Sequence, residues 1–182
     1  VVFGNNLFVA VAYTATNNQV MTSPDGITWT GRSALANGWT CVAYGYNNGA
    51  HAFVAVSNTV VTGTSTYTRV MTSANGISWT PRTIGSVSAD ACSWKSVAYG
   101  NGLFIACGTK GTNRCAVSAD NGVTWKTYPM PGSYAFNSIA YGDGTFVMVT
   151  DSGQIYYSTE ATATTLKSSS VSPFPLYVII PV

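Results

Sequence analysis

The chain has 182 residues, a net charge of +2 and 8 % charged residues, against 13 % aromatic and 46 % hydrophobic. Scarce charge beside plentiful aromatics argues against disorder, and the lack of any Lys/Arg cluster argues against nucleic-acid binding, which relies on phosphate neutralisation. No run of about 18 apolar residues is present, so no membrane-spanning helix is expected.

In chain order, VVFG (1–4) reads as the end of a strand, and NNLFVAVAY (5–13) as a longer apolar one. QVMTS (19–23) is a shorter strand, and SPDGITWT (23–30) joins a turn to a strand carrying Trp29. The same order returns as WTCVAYG (39–45), AHAFVAVS (50–57), RVMTS (69–73) and SANGISWT (73–80). It returns again as WKSVAYG (94–100), NGLFIACG (101–108), CAVS (115–118) and SADNGVTWK (118–126). A fourth round is FNSIAYG (136–142), DGTFVMVT (143–150), QIYYS (154–158) and a degraded STEATATT (158–165). Residue alternation within these pieces has the period of two that marks strands. Gly100-Asn101-Gly102 and Asp151-Ser152-Gly153 mark hairpins. No useful helical period appears.

Four strands per repeat of this length predict an all-β fold, a β-propeller of four-stranded antiparallel blades. The blades span about 1–36, 37–90, 91–132 and 133–167, as four blades or as part of a larger ring. Because the first residues fall inside a repeat, the chain reads as a piece of a longer polypeptide or as a processed product. The turn before each tryptophan joins the third and fourth strands. Asp25 is expected to accept N–H groups of its own turn, Gly26 to supply a positive φ, and Trp29 to cover the hairpin. Ser73, Asn75, Gly76 and Trp79 repeat the device, and Ser118, Asp120, Gly122 and Trp125 repeat it with Asn121 inserted.

Ser23-Pro24-Asp25-Gly26-Ile27-Thr28-Trp29 and Ser118-Ala119-Asp120-Asn121-Gly122-Val123-Thr124-Trp125 resemble the Asp-box, or BNR repeat, of sialidases and other propeller proteins. The first copy lacks one spacer residue. The resemblance covers about residues 1–165 and implies that Ser23, Asp25, Gly26, Trp29 and their counterparts are structural, on the blade face opposite the usual active site. The extended repeat also looks like propeller repeats of bacteriophage fibre and decoration proteins and of bacterial surface proteins.

A sialidase-like site would need an arginine triad, a Tyr–Glu pair and an Asp acid. Arg32 and Arg82 each follow a box tryptophan by three residues, so they look like repeat positions, leaving Arg69 and Arg114. The one glutamate, Glu160, sits in the degraded box, and nothing in the spacing of Asp90, Asp143 and Asp151 pairs them as glycosidases require. The single histidine, His51, makes a histidine metal centre implausible. No catalytic residue, cofactor or metal is expected.

Recognition is assigned instead to the face opposite the boxes. There two long loops, 58–68 and 83–93, lie near Tyr13, Tyr67, Trp94 and Tyr134, the candidate glycan-binding aromatics. Packing between blades is the competing reading for Trp94 and Tyr134. Cys107 and Cys115 align with Val11 and Val20, as buried apolar groups or as a bridge across a hairpin. Residues 168–182 form an extended tail whose apolar Leu-Tyr-Val-Ile-Ile needs a paired edge. It either closes the propeller or adds to a neighbouring subunit, the reading we favour. None of the 13 asparagines begins an N-x-Ser/Thr sequon.

The function expected is a non-enzymatic structural and recognition module on a virion, a phage fibre or decoration protein that contacts host glycan. Its partners would be other virion or surface subunits, as a homo-oligomer through the tail. The alternatives are an extracellular bacterial lectin or adhesin, and a glycosidase-like enzyme.

Overall fold

The computed structural model describes residues 1–13, 19–58, 68–85 and 92–158, and the backbone of 165–169 and 177–179. All regular structure among them is β. The first sheet holds β1 (Val2–Gly4), β2 (Leu7–Val11), β3 (Val20–Ser23) and β4 (Thr30–Arg32), hydrogen-bonded in that order. The second holds β5 (Trp39–Asn47), β6 (Ala50–Ser57), β7 (Val70–Ser73) and β8 (Thr80–Arg82). The third holds β9 (Trp94–Gly100), β10 (Leu103–Gly108), β11 (Cys115–Ser118) and β12 (Lys126–Tyr128). The fourth holds β13 (Phe136–Gly142), β14 (Thr145–Thr150), β15 (Ile155–Ser158), β16 (Thr165–Ser169) and β17 (Tyr177–Ile179). All pairings within these sheets are antiparallel, as expected for propeller blades.

In the tail, β17 pairs with β16, Leu166 opposite Val178, inside the fourth sheet. The fourth blade thus has five strands, and its limit lies beyond residue 167. The degraded box between β15 and β16, with Glu160, lies outside the described residues.

Register repeats from sheet to sheet. Phe3 faces Phe8, Tyr44 faces Phe53, Tyr99 faces Phe104 and Tyr141 faces Phe146. These four ring pairs have centroids 4.6 to 4.9 Å apart. Likewise Val11 faces Val20, Val56 faces Val70, Cys107 faces Cys115 and Val149 faces Ile155. Each sheet therefore has two apolar faces. The face bearing the aromatic pair looks back toward the preceding blade. The face bearing the aliphatic or cysteine pair looks forward.

Three apolar clusters join four blades. Val9 and Val20 meet Trp39, Val42, Phe53, Ala55 and Met71 at the first joint. Val54, Val56 and Val70 meet Trp94, Val97, Phe104 and Ala106 at the second. Ile105, Cys107 and Cys115 meet Phe136, Ile139, Phe146 and Met148 at the third. Each large side chain fully removed from water there contributes about 1.5–3 kcal/mol. Strand β6 shows the result: Phe53, Val54, Ala55 and Val56 are all 0 % exposed, because both faces of the middle blade are covered.

A second contact repeats at each joint. Tyr44 lies over Gly4, Tyr99 over Gly45 and Tyr141 over Gly100, so that any Cβ on these glycines would fall inside the ring. Glycine is required there for close approach, not for an unusual φ. The first strands of the sheets run side by side, β1 by β5, β5 by β9 and β9 by β13. Among the described residues β13 makes no comparable contact with β1, so the four blades form an open arc.

Candidate functional site

The box turns are the best-defined local structures. Ser23 Oγ donates to Asp25 Oδ1 at 2.8 Å and accepts the Gly26 N–H at 2.8 Å. Asp25 Oδ1 also accepts the N–H groups of Ile27 and Thr28, each at 2.8 Å. These bonds hold the Asp25 carboxyl down at about 2, the Thr28 N–H contributing most, then the Ile27 N–H and the Ser23 hydroxyl. Gly26 sits at φ 74°, and Trp29 Nε1 donates to its carbonyl. In the second copy Asn75 Oδ1 accepts Ile77 and Ser78 N–H at 2.9 Å each, and Trp79 Nε1 bonds the Gly76 carbonyl. In the third, Asn121 takes φ 61°, Asp120 accepts the Thr124 N–H and hydroxyl, and Trp125 Nε1 bonds the Gly122 carbonyl. Partial burial would raise the Asp120 carboxyl, but Thr124 and Ser118 outweigh it and leave it lowered.

The second and third box turns also reach the blade before them. Gly76 lies against Leu7 and Val9, and Gly122 against Val54 and Thr72. Trp79 packs on the first joint and Trp125 on the second. A cleft of about 330 Å³ opens beside the second of these docked turns. Its floor and walls are Thr72, Ser73, Asn75, Ser78, Thr80 and Arg82 of the second blade, with His51 at one side and Asn121 of the third blade at the other.

The lining mixes these polar groups with the apolar surface of Ala52 and Ala74 and carries no carboxylate. Arg82 Nε donates to Thr72 Oγ1 at 3.2 Å, which fixes the side chain and leaves its terminal amino groups without an acceptor among the described residues. His51 Nδ1 is hydrogen-bonded to the Tyr44 hydroxyl, and its ring sits against Tyr46. Asn121 Oδ1 is shielded from solvent and has no hydrogen-bond partner. The cleft thus offers hydroxyls, amides and one cation.

Of the aromatics assigned to recognition, Trp94 and Tyr134 are drawn into the joints. Trp94 is 3 % exposed and belongs to the second joint, so it cannot present a face to a ligand. The packing reading is the right one, because Trp94 opens β9 opposite Gly108, with its ring turned toward the second blade. Tyr134 is half-buried against the third joint. Tyr13 is 51 % exposed, but it lies at the end of the first blade. Tyr67 and most of both long loops lie outside the described residues.

Cys107 and Cys115 face each other across β10 and β11 as free thiols, not as a bridge. Burial, the leading cause, pushes Cys115 up to about 12, and Cys107 rises for the same first reason. With no thiolate to attack, the pair packs as small apolar groups, as Val56 and Val70 do one blade earlier. Among the described residues no group of three His, Cys, Asp or Glu could hold a metal ion, and no helix is long and apolar enough to cross a membrane.

Sequence reading missed the cleft because its two sides come from different blades, and it lies on the box face rather than the opposite one. One mark was visible. Asn121 is the only residue inserted into an otherwise regular turn, and it is the residue of the third blade that lines the cleft.

No protein-family model matches the chain, and no curated protein does. Among solved structures, YCF48 from Cyanidioschyzon merolae is similar at 13 % identity with a TM-score of 0.52, over 92 % of this chain and 57 % of that one. A structure of YCF48 bound to D1 peptide is similar at 14 % identity with a TM-score of 0.48, over 94 % of this chain and 57 % of that one. The chain therefore spans less than two thirds of these neighbours, and at such identity the likeness is one of fold. With the four antiparallel sheets, it shows the architecture to be that of a β-propeller.

Proposed function

We propose that the chain is a non-enzymatic structural and recognition module of the Asp-box propeller type, on the surface of a virion, as in a phage fibre or decoration protein. The cleft between its second and third blades takes a host surface glycan. The observation that carries this reading is the lining of the cleft. Ring hydroxyls of a sugar need donors and acceptors at several angles, which Ser78, Thr80 and Asn75 supply. Arg82, with no acid beside it, favours a carboxylated sugar over a neutral one. The size suits a mono- or disaccharide, since ligand pockets run from about 300 Å³ upward.

What the acidic groups do supports the non-enzymatic part. Glycoside hydrolysis uses two facing carboxyl groups, one of them protonated. Asp25 and Asp120 accept hydrogen bonds inside their own turns and are held below the usual range, which suits an acceptor and not a proton donor. The arginines are dispersed: Arg32 bonds Thr22, Arg82 bonds Thr72, and Arg114 bonds the carbonyls of Gly111, Met130, Pro131 and Gly132. The charge-poor surface fits a virion exterior.

A glycan array of acidic and neutral saccharides tests the ligand. Binding to carboxylated sugars is expected, weakened at least tenfold by Arg82→Ala and by Asn121→Ala. An array without hits removes the glycan, and hydrolysis of any sialoside overturns the non-enzymatic reading. Co-sedimentation of the chain with virus particles tests the location.

A further inference from the structure

One hairpin breaks the repeat, and it stands at the cleft. In three blades the pairing of the first two strands stops at a glycine: Gly4 with Leu7, Gly100 with Leu103 and Gly142 with Thr145. In the second blade it runs two pairs beyond Gly45 with Ala52, to Tyr46 with His51 and Asn47 with Ala50. The added residues reach the third blade and the cleft. Asn47 Nδ2 donates to the carbonyls of Gly102 and Ala119, at 3.1 and 3.2 Å. The Tyr46 carbonyl accepts the Tyr99 hydroxyl at 2.6 Å. These bonds tie the extension to the blade that brings Asn121 to the cleft, and His51 is the added residue that lines it.

His51 is held through one nitrogen only. Its Nδ1 is hydrogen-bonded to the Tyr44 hydroxyl, and Nε2 has no partner among the described residues. The ring lies 4.8 Å from that of Tyr46 and 5.9 Å from that of Tyr44, centroid to centroid, which fixes its plane. The titratable and charged groups around it come from four elements. Tyr44 and Tyr46 share its hairpin, and Tyr99 of β9 reaches the Tyr46 carbonyl. Arg82 of β8 lines the same cleft. Asp120, on the third blade's turn, is engaged there by Ser118 and Thr124 and does not line the cleft.

We infer that His51, once protonated, is a second cation of this cleft, so that an acidic saccharide and a proton bind together. The inference rests on the glycan reading of the cleft and adds to it a dependence on pH. Imidazole is the side chain that changes charge between about pH 5 and 8. Charged, it donates from both nitrogens, Nδ1 to Tyr44 and Nε2 to the ligand. Sugar carboxylates stay ionised across this range, so only the protein changes. By reciprocity, the proton favours the anion as much as the anion favours the proton. Affinity for acidic saccharides therefore rises as pH falls, and affinity for neutral ones does not. Exposed ion contacts are weak, so the gain is about two- to fivefold, and salt reduces it.

An array of glucuronate-, galacturonate- and neutral hexose-containing saccharides, read with the whole chain at about pH 5 and about pH 8, tests the inference. Acidic hits should gain about two- to fivefold at the lower pH relative to neutral ones. His51→Gln, which keeps hydrogen-bonding groups but cannot take the charge, should remove the gain. His51→Lys, charged at both pH values, should bind acidic hits with one affinity, that of the unsubstituted chain in acid. Acidic hits indifferent to pH overturn the inference and leave the glycan reading standing, as do hits confined to neutral saccharides. A gain that survives His51→Gln overturns it too, because another group would be titrating. An array without hits at either pH overturns both the inference and the reading beneath it.

Discussion

At the scale of the residue, the box turns show one acceptor atom organising a corner. Asp25 Oδ1 collects a hydroxyl and two backbone N–H groups, and Asn75 Oδ1 collects the same set without a charge. The charge makes the corner's contribution depend on pH. A carboxyl held near 2 when folded and near 4 when unfolded adds stability that is complete above about pH 4 and is lost as pH falls toward about 2. The wild-type chain should therefore lose stability through that window. Asp25→Asn should flatten this part of the acid limb and lower stability at neutral pH, where the carboxylate's contribution is complete. Thermal unfolding followed by circular dichroism from pH 2 to pH 6 checks it, and an acid limb of unchanged slope contradicts the role given to Asp25. These turns were legible in the sequence because every bond in them joins neighbours two to four residues apart. Trp94 was not legible in the same way. It is the same residue type as Trp29, and only the register of β9 against β10 shows that it points into a joint.

At the scale of the element, a sheet is held to its neighbour by two devices that differ in tolerance. The aliphatic face is forgiving: the facing pair is Val11 with Val20, Val56 with Val70, Cys107 with Cys115, or Val149 with Ile155. Volume-conserving exchange of this kind costs little. The ring over glycine is not forgiving, because the ring lies where a Cβ would have to go. Gly100→Ala should destabilise the chain by about 1–3 kcal/mol, the usual cost of overpacking. The denaturation midpoint in urea measures it, and an unchanged midpoint would mean that Tyr141 does not lie where it is described. The strands themselves were legible from alternation and turn residues, as Asn101 at φ 47° and Gly102 at φ 78° illustrate. The fifth strand of the last blade was not. Its apolar run announced a paired strand, but pairing partners are set by three-dimensional proximity that local pattern does not encode.

At the scale of the whole molecule, four blades with three joints leave the burial uneven. Strands β6 and β10 are covered on both faces, while β14 alternates between buried Phe146 and Met148 and exposed Val147 and Val149. Local opening costs least where fewest apolar contacts are lost. Amides of β6 and β10 should therefore exchange most slowly with solvent deuterium, ahead of those in β2 and β14. Mass spectrometry of dilute chain reads this directly, and uniform protection across the four blades would contradict it. The propeller architecture was legible from the repeat length and from four strands per repeat. The cleft was hidden by the same property that makes the repeat easy to see. Positions that recur are noticed together, whereas Arg82 and Asn121 line one cleft only because one blade's turn rests on the blade before it.

The seating of one ring on one glycine has a consequence for how such a gene can change. Every boundary carries the same pair, so a recombination event that removes residues 39–93 brings Tyr99 onto Gly4 and recreates the junction it destroyed. A deletion that ends mid-sheet leaves no matching pair. A gain or loss of one whole module thus leaves the remaining seams matched by the same two residues.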